Sequence, residues 1–202
     1  MLNTDELLMK KLILASSSPR RKKILNMVKL NFDVIPSNID ETYEQNLSPQ
    51  QIVENLSKKK ATTVSKKFPK SYVIGADTVV SIENQILNKP QNQEEAYKML
   101  RILSNKKHMV ITGVCLITEK NNILFNFVEK SDVYFYKLDE KSILDYIKTN
   151  SPYDKSGAYG IQDFSACFVK KIYGCYYNIV GFPISKFLNI LKTFPNINSI
   201  IS

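Results

Sequence analysis

The chain has 202 residues and carries a net charge of +9, with three cysteines and a single histidine. Its length suffices for one large domain or two closely joined lobes. One histidine and no CxxC pair exclude a His-rich metal cluster and a zinc or disulfide framework, and no apolar run approaches the roughly 20 residues needed to span a bilayer.

Reduced, mostly buried thiols are expected from this cysteine usage. A cytoplasmic location is expected from the lack of a spanning run and from an apolar stretch after Lys10-Lys11 too short for a signal peptide. The lysines are scattered over many segments and accompanied by abundant asparagine, a balance that argues against nucleic acid as the partner while remaining compatible with a polyphosphate ligand.

In chain order, residues 11–15 read as a buried strand and 19–29 as a helix whose Ile24, Leu25 and Val28 share a face. Residues 32–36 read as a short strand ended by Pro36, followed by a polar loop over 37–47. Ser48-Pro49 starts a long helix to about Lys67. Residues 72–82 form an apolar strand, and 85–87 pairs behind a Glu83-Asn84 turn. Asn92, three residues before Glu95, caps a helix carrying Ala96, Leu100 and Leu103. Strands over 108–118 and 123–137 are joined by an Asn121-Asn122 turn. A helix over 139–148, a loop over 150–163, a strand over 166–172 and a helix over 183–193 complete the order. Strands and helices alternate without repeats or a flexible linker, so the class is α/β with a mixed sheet, in a single domain with short tails at 1–10 and 195–202.

The chemistry gathers in a few segments. In Leu14-Ala15-Ser16-Ser17-Ser18-Pro19-Arg20-Arg21, Ser18 fits a helix N-cap and Pro19 the first helical position. Arginines in a first turn are disfavoured by the helix dipole, so hydroxyls, free N–H groups and two guanidinium groups there suit a bound phosphate. A capped surface helix with solvated arginines is the alternative. Asp77 lies inside the apolar run Val73 to Val80, where a carboxylate needs a cation, a hydrogen-bond donor or a metal; capping a neighbouring turn is the other reading. Lys89-Pro90 stands between a strand and a helix start, where ligand-binding groups collect, although alone it reads as a solvated charge. Asp40-Glu41 offers a second carboxylate, and two acidic positions among several basic ones suit a Mg²⁺-polyphosphate site. One member of Lys58-Lys59-Lys60 can point inward. Gln162, after the small-residue loop Gly157 to Gly160, has the donor and acceptor needed to read one edge of a nucleobase. The absence of a GxxxxGK[ST] loop excludes a P-loop NTPase.

Together these segments resemble the Maf family of nucleoside triphosphate pyrophosphatases, from about Leu12 to Leu191. The resemblance rests on Ala15-Ser16-Ser17-Ser18-Pro19-Arg20-Arg21, Asp40-Glu41, Lys60-Ala61, Ile74-Gly75-Ala76-Asp77-Thr78, Lys89-Pro90, and His108 to Val114. Asp154-Lys155, Gly157 to Gln162 and Asn178-Ile179-Val180-Gly181-Phe182-Pro183 complete it.

The resemblance implies an elongated mixed sheet flanked by helices, with a cleft between two lobes. It implies hydrolysis of a nucleoside triphosphate to the monophosphate and pyrophosphate with Mg²⁺ or Mn²⁺, in a house-cleaning role, and it suggests a homodimer. The His108 strand and the Tyr159-Gly160-Ile161-Gln162 loop are similar to the dTTP/UTP-preferring branch. On this reading Glu41 and Asp77 hold the metal, with Asp77 also orienting or deprotonating water. Arg20, Lys60 and Lys89 offset phosphate charge together with Arg21, Ser16 and Ser18, while Gln162 and Thr78 contact substrate. Three departures stand out: Asn88 where glycine is common before Lys-Pro, Asn105-Lys106 for Gly-Arg, and Asp163 for glycine after Gln162. An acidic Asp163 beside the base loop has the charge to change specificity or repel phosphate, and the sequence leaves its effect open. A non-catalytic nucleotide- or nucleic-acid-binding protein is the rival reading.

Overall fold

Four of the helices start on side chains that cap them. The structure is a computed structural model and describes residues 11–118 and 122–194. The tails 1–10 and 195–202, and Asn121 of the expected hairpin turn, lie outside the described residues. Ser18 accepts a hydrogen bond from the Arg21 N–H at the head of α1 (Pro19–Met27), with proline first in the helix. Ser48 and Gln51 form a capping box on α2 (Pro49–Ser65). Asn92 caps α3 (Gln93–Leu103) and Asp139 caps α4 (Glu140–Ile147), each cap being worth about 1 kcal/mol.

Among the described residues seven strands form one mixed sheet: β1 (Leu12–Leu14), β2 (Asp33–Val34), β3 (Tyr72–Ile82), β4 (Gln85–Leu87), β5 (Lys107–Ile117), β6 (Ile123–Phe135) and β7 (Val169–Tyr173). The spatial order is β2-β1-β3-β5-β6-β7, with β4 beside β3. β1 runs parallel to β2 and β3, and the other pairs are antiparallel.

The register of β3 creates the cleft. β1 pairs with Tyr72 to Ile74, and β4 pairs with Val80 to Ile82 on the same edge. Residues 75–79 therefore face no strand on that side, while β5 pairs with them on the other. Asp77 and Thr78 sit in this gap, and the chain leaving β1 turns at Ser16 to Ser18 beside it.

Alternation along β3 sends Gly75, Asp77 and Val79 to one face of the sheet and Ile74, Ala76, Thr78 and Val80 to the other. α2 covers the first face, with Ile52, Val53 and Leu56 against Val79 and Ile111 and Ala61 and Val64 against Val73 and Cys115. The second face carries two apolar clusters. One joins Ile74 and Ala76 to α1, α5 (Tyr176–Val180) and α6 (Ile184–Leu191); the other joins Val80, Val110 and Val133 to α3 and α4. Between these two lobes runs a polar belt made of Arg21, Thr78, Thr112 and Asn178.

The structure shortens some expected elements. β2 has two exposed residues, since Pro36 soon removes a ladder donor. Residues 164–168 form a 3₁₀ turn rather than the start of a strand, because Asp163 accepts from the Ser165 N–H and starts a helical turn. The five-residue α5 is too short to show a period in the sequence and is stopped by Gly181 at φ +117°. Of the three thiols expected to be mostly buried, Cys115 is buried, Cys175 partly so, and Cys167 lies exposed on the 3₁₀ turn.

His108 is 2% exposed among Phe135 and Tyr159, with Nε2 2.7 Å from the Tyr159 hydroxyl. Burial pushes its pKa down to about 3. The unfolded chain takes up this proton near pH 6.5 and the folded protein does not, so acid favours unfolding. Urea denaturation should show about 2 kcal/mol of stability lost between pH 7 and pH 5, at up to about 1.4 kcal/mol per pH unit. The loss should shrink in a folded His108→Gln protein; an unchanged pH slope there would assign it to other groups.

Candidate active site

The gap in β3 opens into a cavity of about 960 Å³. Every residue expected to act on substrate lines it: Ser16, Ser18, Arg20, Arg21, Glu41, Lys60, Asp77, Thr78, Lys89 and Gln162. They come from segments spread over the chain, and the fold brings each in for a local reason.

Lys60 is the buried member of its lysine run because it falls on the α2 stripe of Val53, Leu56, Ser57 and Val64. Its neighbours Lys58 and Lys59 are exposed. α2 lies so close to the sheet that Cβ atoms added at Gly75 and Gly113 would stand 2.1 Å from the Ser57 carbonyl oxygen and 2.3 Å from that of Val53. This close approach brings the Lys60 ammonium to 2.6 Å from Asp77 Oδ1 and 2.7 Å from Glu41 Oε1. Two carboxylates from distant segments thus converge on one cation. Half-burial alone would push the Glu41 carboxyl up, but the hydrogen bond and charge of Lys60, with Lys89 and Arg21 behind it, hold it below the usual glutamate range. Asp40, beside Glu41, turns away and accepts from Thr42 at 3.0 and 2.7 Å.

Arg21 serves as a cross-brace. Its guanidinium donates to the Gly181 carbonyl at 3.0 Å, to Ser16 Oγ at 3.1 Å and to Thr78 Oγ1 at 3.0 Å. Thr78 Oγ1 lies 2.9 Å from Thr112 Oγ1, which donates to the Asn178 carbonyl at 3.2 Å. Asn178 Nδ2 then holds the Val110 carbonyl at 3.0 Å. With three N–H groups engaged, Arg21 keeps two donors for a ligand. Arg20 reaches across the cleft to Asp154, at 2.5 Å to the carboxylate and 3.1 Å to the carbonyl oxygen. Ser156 Oγ donates to the Thr78 carbonyl at 3.2 Å, fastening the loop to the open edge of β3. Gln162 is exposed on the cavity wall.

Thr112, Asn178 and Asp154 had no role assigned from sequence. Thr112 left a signal, as a lone hydroxyl inside an apolar strand; the partners of Asn178 and Asp154 are far away in the chain and left none.

Asp163 turns away from the cavity. Its carboxylate accepts from Ser151 Oγ at 2.5 Å, from the Ser165 N–H at 2.9 Å and from Ser165 Oγ at 2.6 Å, and lies 3.4 Å from the Lys155 ammonium. It ties the loop together instead of facing phosphate. Asp163→Ala should cost about 2 kcal/mol in urea denaturation, through a lost cap and charged hydrogen bonds, and leave the nucleotide KM unchanged. A KM that falls would restore the repulsion that the sequence left open.

Among the described residues, no group of three or more His, Cys, Asp or Glu side chains is placed to hold a metal ion, and no helix is long and apolar enough to cross a membrane. The donor set is a carboxylate pair beside cationic side chains. That suits a Mg²⁺ or Mn²⁺ ion whose remaining ligands are water and phosphate oxygens.

The Maf-like protein family matches residues 11–194. A protein of Geobacillus sp. (strain WCH70) named dTTP/UTP pyrophosphatase is 50% identical over 184 residues, covering 91% of this chain and 98% of its own. Proteins of the same name from Caldicellulosiruptor saccharolyticus and Bacillus cereus (strain G9842) are 47% and 42% identical, over 91% and 92% of this chain and 94% and 96% of theirs. The solved structure of the Staphylococcus aureus Ham1 protein overlays 62% of this chain and 72% of its own, at a TM-score of 0.45 and 14% identity.

Proposed function

Because the chain belongs to the Maf-like protein family, we propose that it hydrolyses nucleoside triphosphates, dTTP and UTP first, to the monophosphate and pyrophosphate. The observation that carries this reading is the Glu41–Lys60–Asp77 cluster at the mouth of the β3 gap, ringed by Arg20, Arg21 and Lys89.

Glu41 and Asp77 would hold the divalent cation, Mg²⁺ or Mn²⁺, which when bound lowers the pKa of water and stabilises charge on the phosphoryl group. Asp77 orients the attacking water toward the α-phosphorus and takes its proton. The new P–O bond forms as the bond to the α–β bridging oxygen breaks, and pyrophosphate leaves. Lys60, Lys89 and Arg20 offset charge on the transferring and leaving groups, while Ser16 and Ser18 add hydrogen bonds. Ser16 is already fixed by its contacts with the Ser18 N–H and Arg21, so it meets the ligand in place. Gln162 pairs with the imide edge of thymine or uracil, which presents carbonyl acceptors and an N–H donor.

Comparing kcat/KM for dTTP, UTP, CTP, GTP and 7-methyl-GTP tests the substrate assignment. Preference for dTTP and UTP supports it, and preference for 7-methyl-GTP overturns the pyrimidine reading.

A further inference from the structure

We infer that Lys60 is a place-holder for the divalent cation, so that the protein takes up the metal with the nucleotide and excludes the free ion. The inference rests on the reading of Glu41 and Asp77 as the metal-holding pair. The Lys60 ammonium stands 2.6 Å from Asp77 Oδ1 and 2.7 Å from Glu41 Oε1, so it fills the space between the two carboxylates that would hold the cation. Lys60 is 5% exposed and Asp77 6%, so neither is stabilised by bulk water and each needs the other while the pocket is empty of ligand. A dication cannot enter between these oxygens with the ammonium in place, because two cations at contact distance repel.

The surroundings reinforce the exclusion. Lys60, Lys89 and Arg21 all act on the Glu41 carboxylate, giving three positive groups around two negative ones. A free dication meets a surplus of positive charge, whereas a metal–triphosphate complex arrives with net negative charge. Its phosphate oxygens offer Lys60 new acceptors, and the lysine stem has the rotatable bonds to swing to them while α2 stays packed on the sheet. The cavity lined by Lys60 gives that swing room.

The test is a titration of Mn²⁺ into the nucleotide-free protein, following the free-ion electron paramagnetic resonance signal. Lys60→Met keeps the length of the stem and removes the charge; Lys60→Gln repeats the comparison should the methionine variant fail to fold. The folded variant should bind Mn²⁺ at least about tenfold more tightly than wild type, a gain of one decade in the binding constant. Wild type should reach comparable affinity once a non-hydrolysable α,β-methylene analogue of dTTP is added, after subtraction of the Mn²⁺ that the analogue alone binds in a protein-free titration. Equal or weaker Mn²⁺ binding by the variant overturns the inference, as does wild-type affinity that the analogue leaves unchanged. The first titration contains no nucleotide, so failure of the pyrophosphatase reading would show separately in the wild-type hydrolysis assay.

Discussion

Asp77→Asn protein should fold normally and release pyrophosphate from dTTP at least about 1,000-fold more slowly than wild type, a loss of roughly 4 kcal/mol of transition-state stabilisation. The side chain is nearly isosteric, so the packing of β3 against α2 is kept. The amide oxygen can still accept from Lys60, now without charge assistance. What disappears is the negative charge that shares a cation with Glu41 and the basic oxygen that takes a proton from water. Glu41 alone would face Lys60, Lys89 and Arg21, and the carboxylate pair would cease to exist. Two readouts check the result together: the melting temperature and the rate of pyrophosphate release. Turnover near the wild-type rate in a folded variant would remove Asp77 from the chemistry.

The second large effect is on the frame that holds the site. Gly75→Ala should destabilise the protein by about 3 kcal/mol and lower its melting temperature by roughly 10 °C. The added methyl would lie 2.1 Å from the Ser57 carbonyl oxygen, 2.7 Å from the Ala61 nitrogen and 2.9 Å from its Cβ. The first two of these are helix backbone, so no rotamer change relieves the clash and α2 has to lift from the sheet. Lys60 lies between Ser57 and Ala61 on that helix, so its contact with Asp77 lengthens as well. Thermal melts and hydrolysis rates should therefore fall together. A melting temperature unchanged from wild type would contradict the close approach of α2 to β3.

Much of the frame was legible because its signals are local. Ser18, Ser48 and Asn92 each announce a helix start through a hydroxyl or amide facing free N–H groups. Glu83 and Asn84 both adopt positive φ, which the tight turn between β3 and β4 demands. Asn105, which departs from the common Gly-Arg pattern, stands at φ +57°, a conformation asparagine tolerates better than most residues. Lys60 itself was marked only by the resemblance; the period of α2 explains why it, and not Lys58 or Lys59, is the member that turns inward.

The cross-chain partners were not legible. Arg20 with Asp154, Thr112 with Asn178, and Asn88 with Tyr43 are joined by tertiary packing, and neither member of a pair carries a mark of the other. Asp163 shows the same limit. Its charge invited a reading toward phosphate, whereas Ser151, Ser165 and Lys155, placed by the 3₁₀ turns around it, give it a structural use. The division of Asp40 from Glu41 likewise depended on the loop path, since only Glu41 meets Lys60.

The products formed from dTTP show which phosphorus water attacks. Wild-type protein would be incubated with dTTP and Mg²⁺, and the products resolved by phosphorus NMR. dTMP and pyrophosphate in equal amounts, with no orthophosphate at early times, is the predicted result. dTDP with orthophosphate would place the attack at the γ-phosphorus and contradict the account.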